Sequence, residues 1–257
     1  MASKMWYFLK RKFNPVPRIK IPVAAFFMDV SPKIYADQLT IVDAEIFGRI
    51  RLAELLYPPF GPVADESIAR FNHVKMWCVR TILYQSCQTK RSHIISHFLK
   101  IASELHHLKN LNSMMAILSA LESSPIQRLK KTWSLVSKNQ KQTYDYLLQL
   151  LTWEDNFRNL RDHMSTVEGP CVPYLGLYMN DIIGIYADHP PNEINNVVRM
   201  AKMEKVIKSV LAYQGSNYSH IRIWPNIQHL LETYQFSKKE LSAMEKFNLR
   251  WSKTLEE

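Results

Sequence analysis

The stretch Leu108-Lys109-Asn110-Leu111-Asn112-Ser113-Met114-Met115-Ala116-Ile117-Leu118-Ser119-Ala120-Leu121, continued after Glu122 by Ser123-Ser124-Pro125-Ile126-Gln127-Arg128-Leu129-Lys130-Lys131-Thr132-Trp133, decides the fold. Within it Leu111, Met114, Met115, Leu118 and Leu121 recur at steps of three and four. That spacing puts them on one face of a helix over 111–121 and predicts burial of the face. Leu111, Met114 and Leu118 read as core. On the N-terminal side, Ile94, Ile95, Phe98, Ile101, Ala102, Leu105 and Leu108 mark a long amphipathic helix over 90–109. The periodicity returns over 138–151, and over 197–213 through Val197, Met203, Val206, Ile207, Val210 and Leu211. No segment shows the alternation of a half-buried strand, so the pattern predicts an all-α protein without internal repeats.

Toward the N-terminus, Ser31 offers a cap and Pro32 a first helical position, opening a helix, continuous or interrupted, over 33–56. Pro58-Pro59-Phe60-Gly61-Pro62 closes it as a loop. Residues 1–32 read as an extended arm, because Pro15, Pro17 and Pro22 lack the amide proton a helix needs. Residues 33–257 read as one domain. The arm's opening, Met5-Trp6-Tyr7-Phe8-Leu9-Lys10-Arg11-Lys12-Phe13, combines aromatic and basic side chains that could touch an anionic membrane. An arm packed on the domain, or a disordered one, is the plainer expectation.

Composition narrows the chemistry. A net charge of +10 favours an acidic partner without choosing one, and the basic residues are spread along the chain as on a solvated surface. No aromatic platform or nucleic-acid module accompanies them, which argues against nucleic-acid binding. The 6 glycines form neither GxGxxG nor GxxxxGK, so no phosphate-cradling loop is present. Cys78, Cys87 and Cys171 are odd in number and widely spaced, as expected in a reducing compartment. No apolar run is long enough for a membrane span, and the N-terminus lacks the order of a signal peptide. The expectation is a soluble, cytoplasmic protein.

Catalytic constellations are missing. His93 and His97 lie four apart on a helix but lack a third ligand and an intervening glutamate, so solvent-facing histidines are expected. His106 and His107 are adjacent rather than cofacial. Cys171, between Pro170 and Pro173, reads as a buried packing residue. Composition alone suggests a binding module.

Four segments point further. Asp37-Gln38-Leu39-Thr40-Ile41-Val42-Asp43 with Ile46-Phe47, the helix Arg70-Phe71-Asn72-His73-Val74-Lys75-Met76-Trp77, the 108–133 stretch and Pro170-Cys171-Val172-Pro173-Tyr174-Leu175-Gly176-Leu177-Tyr178-Met179-Asn180-Asp181 together resemble the catalytic domain of Ras-family guanine-nucleotide exchange factors. They come in that family's order and spacing, and the resemblance covers about 33–250. It implies a single helical domain with a protruding helical hairpin, needing no cofactor and making no covalent bond. Its partner would be a Ras-family small GTPase (Ras, Rap or Ral), nucleotide-free or GDP-bound. By resemblance, Met115, Ser119, Glu122 and Gln127 face a groove for the GTPase's switch II. Arg70, Asn72 and His73 lie on the facing helix, Phe157 is an aromatic anchor, and Lys202 joins the binding set.

The hairpin is implied at about 174–213, its first helix from about Tyr174 to Tyr186 and its second from near Glu193–Val197 toward Tyr213. Ile183, Tyr186 and Asp188 would open the nucleotide site beside switch I. Ile183 would sit near the magnesium position, where an apolar group denies the cation its oxygen shell. Relatives carry a carboxylate where this chain has Ala187, and Asp188 could serve after a one-residue shift. The hairpin linker, through Pro190-Pro191, is short. Glu122 replaces a common asparagine. The segment around Trp224-Pro225-Asn226-Ile227-Gln228 is somewhat closer to Ral-type exchange factors. The family's accompanying N-terminal helical domain finds no room in 32 residues. These departures leave a non-catalytic GTPase-binding scaffold as the alternative.

Overall fold

The computed structural model describes residues 27–152, 154–190, 196–232 and 236–256. The N-terminal arm to residue 26 and the hairpin linker over 191–195 lie outside the described residues. Thirteen helices follow among those described: α1 (Pro32–Arg49), α2 (Leu52–Leu55), α3 (Pro62–Leu83), α4 (Gln88–His107), α5 (Leu111–Leu121), α6 (Ser124–Gln127), α7 (Lys130–Ser134), α8 (Lys138–Leu150), α9 (Glu154–Ser165), α10 (Leu175–Asp188), α11 (Asn196–Gln214), α12 (Pro225–Glu232) and α13 (Lys238–Leu255). The fold is all-α; the one β feature among the described residues is an isolated bridge between Asn110 and Val172. No described helix is long and apolar enough to cross a membrane.

Helix α5 is the centre. Ten of its eleven residues are buried and only Ser119 is half-exposed, so the helix is enclosed on all sides rather than along a single stripe. Helices α3 and α4 pack along it. Asn110 opens it, its Oδ1 accepting from the Ser113 amide at 3.0 Å. Beneath α3 and α4, Trp77 and Phe98 meet edge to face at 5.0 Å, and Phe27 lies 4.6 Å from Phe98. Phe27 is fully enclosed, so the end of the arm packs on the domain; burying such a ring contributes about 1.5–3 kcal/mol.

The helix expected over 33–56 divides in two. Ile50 and Arg51 take extended backbone angles between α1 and α2. The Gln214 side chain meets the break, donating from Nε2 to the Phe47 carbonyl at 3.2 Å and to the Ile50 carbonyl at 2.6 Å. The Phe47 carbonyl also takes the Ile50 amide at 3.3 Å, whereas the Gln214 bond is the one that meets the Ile50 carbonyl beyond the helix end. Ser31 caps α1 as expected, accepting from the Ile34 amide at 3.3 Å.

The histidine expectation holds for His93, which is exposed, and is corrected for His97, which is buried. The His97 ring stands edge-on to Phe27 at 4.8 Å and its Nε2 donates to the Val30 carbonyl at 3.0 Å. Burial is tolerated because the polar nitrogen has a partner, and it holds the imidazole pKa below its ordinary value. Among the described residues no group of three or more His, Cys, Asp or Glu could hold a metal. Cys171 is buried as expected, and burial pushes its thiol up to about 12.

Candidate functional site

The loop that leads into α10 is pinned under α5. The Leu111 amide donates to the Val172 carbonyl at 2.8 Å, and the Val172 amide returns a bond to Lys109 at 2.9 Å. Ser216 Oγ accepts from the Cys171 amide at 2.8 Å and donates to its carbonyl at 2.9 Å. The chain then enters α10 at Tyr174, whose ring turns back over Gly176. A β-carbon at 176 would lie 2.3 Å from that ring, so any other residue there would push the ring aside.

Tyr174 gathers an aromatic cluster. Its centroid is 5.4 Å from Phe71 on α3 and 6.3 Å from Phe157 at the start of α9, the latter edge-on. Ile68, one turn before Phe71, is exposed. Neither Phe71, Tyr174 nor Ile68 was singled out from the sequence, although Phe71 and Tyr174 lie inside two of the four segments.

Phe157 occupies an unusual backbone. Asp155, Asn156 and Phe157 have φ of 48°, 55° and 58°, a left-handed turn at the head of α9. Such angles cost of order 1–3 kcal/mol per non-glycine residue and persist only where surroundings enforce them. Asp181 on α10 does so. Its Oδ1 accepts from Asn156 Nδ2 at 2.9 Å, and its two oxygens take Arg161 Nη2 at 2.8 and 3.0 Å. Arg161 Nε in turn donates to the Asn156 carbonyl at 2.8 Å.

The remaining groove candidates fall into two sets. Met115 is buried, Ser119 half-buried, and Glu122 and Gln127 form a polar cluster with Tyr144. Gln127 Nε2 donates to Glu122 at 2.9 Å and to Tyr144 Oη at 2.9 Å, and the Tyr144 hydroxyl donates to Glu122. Burial and the Glu122 carboxylate together hold the Tyr144 phenol far above its ordinary value. Arg70 and His73, by contrast, turn inward. Arg70 Nε is 3.5 Å from Asp43 Oδ1, both side chains being buried. Asp43 also accepts from Asn110 Nδ2 at 2.9 Å and from the Ser113 hydroxyl. His73 Nε2 accepts from the Phe236 amide at 3.0 Å, and burial lowers its pKa, with Arg70 adding to the shift against the opposing Phe236 carbonyl. Asn72 lies half-buried on the same helix.

The two helices expected to form the hairpin, α10 and α11, pack on each other. The first helix runs to Asp188, two residues past the expected Tyr186. Ile183 stands 49% exposed, Asp188 is exposed and Gly184 faces open space. Tyr186 does not share that aspect, since its hydroxyl donates to the Leu56 carbonyl at 2.7 Å and its ring lies 6.0 Å from Tyr57. The two arms are clasped at their outer end. Lys202 Nζ donates to His189 Nε2 at 2.9 Å, and the Arg199 guanidinium sits 5.6 Å over the Tyr186 ring.

The family model described as RasGEF domain matches residues 34–204. The mouse Ras-specific guanine nucleotide-releasing factor RalGPS2 is 34% identical over 240 residues, covering 89% of this chain and 41% of the relative. The chicken factor RalGPS1 is 33% identical, with the same two coverages. Baker's yeast cell division control protein 25 is 29% identical over 235 residues, covering 82% of this chain and 15% of the relative. The chain thus spans less than half the length of these relatives. A family model that covers most of the chain, on an all-α scaffold carrying the four segments in register, places it in the RasGEF domain family.

Proposed function

We propose that the chain is a guanine-nucleotide exchange factor for a Ras-family small GTPase. The observation that carries this reading is the apolar Ile183, half-exposed on a hairpin helix whose start is fixed beside an aromatic cluster built from Phe71, Phe157 and Tyr174. By the family resemblance this cluster shares one groove with Met115 and the Glu122–Gln127 pair, which together would give the apolar centre and polar rim of a protein interface. It would hold switch II while the hairpin opens the nucleotide site beside switch I. Exchange needs tighter binding to the nucleotide-free GTPase than to the loaded one, and each tenfold loss of nucleotide affinity requires about 1.4 kcal/mol of that difference.

Within this reading the side chains divide their tasks. Ile183 and Asp188 face the partner, Asp188 being the exposed carboxylate next to Ala187. Tyr186 and Lys202 instead hold the hairpin's shape, and Arg70 and His73 hold the wall of the groove. The Ral-type likeness makes a Ral protein the first candidate substrate. Membrane recruitment through the arm would be tested by liposome sedimentation with and without residues 1–20.

Release of fluorescent GDP from Ras, Rap and Ral proteins, with excess unlabelled nucleotide and magnesium, tests the whole. Acceleration of one of them supports exchange and names the partner. Binding to a nucleotide-free GTPase without acceleration would favour the scaffold, with Ala187 as the first suspect.

Two substitutions sharpen the test. Ile183→Asp should slow exchange by at least about tenfold, since a carboxylate resists burial that an isoleucine favours. The side chain is half-exposed, so the melting temperature should hardly move, and an unchanged rate would exclude the wedge. Gly176→Ala drives a methyl into the Tyr174 ring and should displace it from Phe71 and Phe157. The expected result is weaker GTPase binding by about tenfold with a cooperative fold retained, measured by titration against nucleotide-free GTPase. Unaltered affinity would remove Tyr174 from the interface.

A further inference from the structure

We propose that Asp181 is a positioning residue that ties the switch II groove to the hairpin, so that the two halves of the GTPase-binding surface act as one unit; this rests on the exchange reading above. The argument begins with Phe157. Three successive left-handed residues place its ring against Tyr174, and no glycine relieves them. Asn and Asp accept such angles more readily than Phe, so the turn is set at Asp155 and Asn156 and imposed on Phe157.

What imposes it comes from the hairpin. The Asp181 carboxylate receives Asn156 Nδ2 and both bonds from Arg161 Nη2, while Arg161 Nε holds the Asn156 carbonyl. The carboxylate thereby grips the turn through a side chain and, by way of Arg161, through its backbone. Its own side chain is mostly enclosed, and that of Arg161 is about one-third exposed. Charge-assisted bonds in that setting are stronger than neutral ones. Asp181 lies on α10 two residues before Ile183, so the same helix presents the wedge and restrains the anchor. Tyr174, the ring against Phe157, is the residue on which that helix begins. Two ties therefore run between the anchor and α10, one polar and one aromatic. A GTPase seated on Phe157 would meet Ile183 at a fixed offset, with no ordering of either left to the encounter.

The test is a double-mutant cycle between Asp181 and Phe157 in the full chain, read as affinity for nucleotide-free GTPase and as KM and kcat of exchange. Asp181→Ala should weaken affinity by about tenfold and act mainly on KM while Phe157 is present. With Phe157→Ala the same change should cost less than about twofold, because no anchor remains to be positioned. Hydrogen–deuterium exchange of the 154–161 peptide should accelerate in Asp181→Ala, with the α5 amides unaltered. Equal losses in both backgrounds would overturn the proposal, as would an unaltered exchange pattern over 154–161. Should Asp181→Ala fail to fold, Asp181→Asn keeps an acceptor for Asn156, weakens only the Arg161 bonds, and should show the same dependence on Phe157. An unsubstituted chain that neither binds nor accelerates any GTPase would count against the exchange reading itself, a failure told apart because it needs no substitution.

Discussion

Phe157→Ala should weaken capture of nucleotide-free GTPase by about 30-fold or more, the scale of an aromatic hot spot losing some 2 kcal/mol or more. The ring is half-buried in the free chain and its backbone is already held in the left-handed turn, so a partner gains its contact without ordering it. Both kcat/KM for exchange and the equilibrium affinity should fall together, because the contact is made throughout the reaction. Thermal stability should change little, since the ring's described aromatic neighbour is Tyr174 alone, at 6.3 Å and at the edge of the core. Titration of the variant against nucleotide-free GTPase, with a thermal melt alongside, checks both halves. Affinity within about threefold of the parent would remove Phe157 from the interface.

The largest effect on stability should come from the other end of the chain. Arg91 is fully enclosed on α4, where Nη1 donates to the Gln85 and Ser86 carbonyls at 2.9 and 2.8 Å and Nε to Thr132 Oγ1 at 3.0 Å. Its Nη2 donates to Glu256 Oε1 at 3.1 Å. Glu256 in turn accepts the Lys131 and Thr132 amides at 2.8 and 2.9 Å, closing the start of α7. Glu256→Ala leaves a buried guanidinium without its counter-charge, which should cost about 3–5 kcal/mol. For a chain of this size that is roughly 10 °C of melting temperature. Pairing Glu256→Ala with Arg91→Met should recover part of the loss, because an apolar side chain tolerates the site that a lone cation does not. A variant melting within about 2 °C of the parent would mean that the pair contributes nothing.

The same carboxylate sets a direction with pH. Burial opposes ionisation of Glu256, but the Thr132, Lys131 and Arg91 donors outweigh it and hold the carboxyl below its ordinary value. A carboxyl that titrates lower in the folded chain stabilises above its unfolded pKa, and that contribution is lost as pH falls through the folded one. His73, His97 and His106 act in the same direction, all three held below the ordinary value chiefly by burial. Each favours the folded chain above about pH 6.5 and ceases to do so on acidification. Melting temperature should therefore fall on acidification, through the histidines below about pH 6.5 and through Glu256 only below about pH 4.5.

The helices and their order were legible because apolar spacing of three and four is a local property of the chain. The rest depended on partners far away in sequence. Near Ile50 only Gly48 hints at a helix end; the carbonyl of Ile50 just beyond it is met by Gln214, far away in the chain. Asn112 and Ser113 look like the solvent side of α5 and are buried, Ser113 because Asp43 accepts its hydroxyl. Arg70, expected on the helix facing the groove, turns inward to Asp43 opposite it. In the proposed site, Phe157 and Ile183 come from the family resemblance alone; the structure leaves Ile183 exposed and Phe157 half-buried. The aromatic company of Phe157 was not legible, since Tyr174 reaches it only by folding back over Gly176. Nor was its left-handed backbone, which no residue type at 157 announces.

Tyr186 changes how helix α10 behaves as a mechanical object. The helix is about 21 Å long at 1.5 Å per residue. Its near end is fastened by the Val172 bridge to α5, and its far end by the Tyr186 hydroxyl on Leu56. A rod held at one end wags most at its tip, whereas a beam resting on two supports bends least beside them. Ile183 stands within one helical turn of the outer support. That support is the Tyr186 hydroxyl on Leu56 together with its ring against Tyr57 and under Arg199, with Ile182 and Ile185 buried alongside, so Ile183 rides on a stiff span and a phenylalanine at 186 would loosen the outer support without removing it.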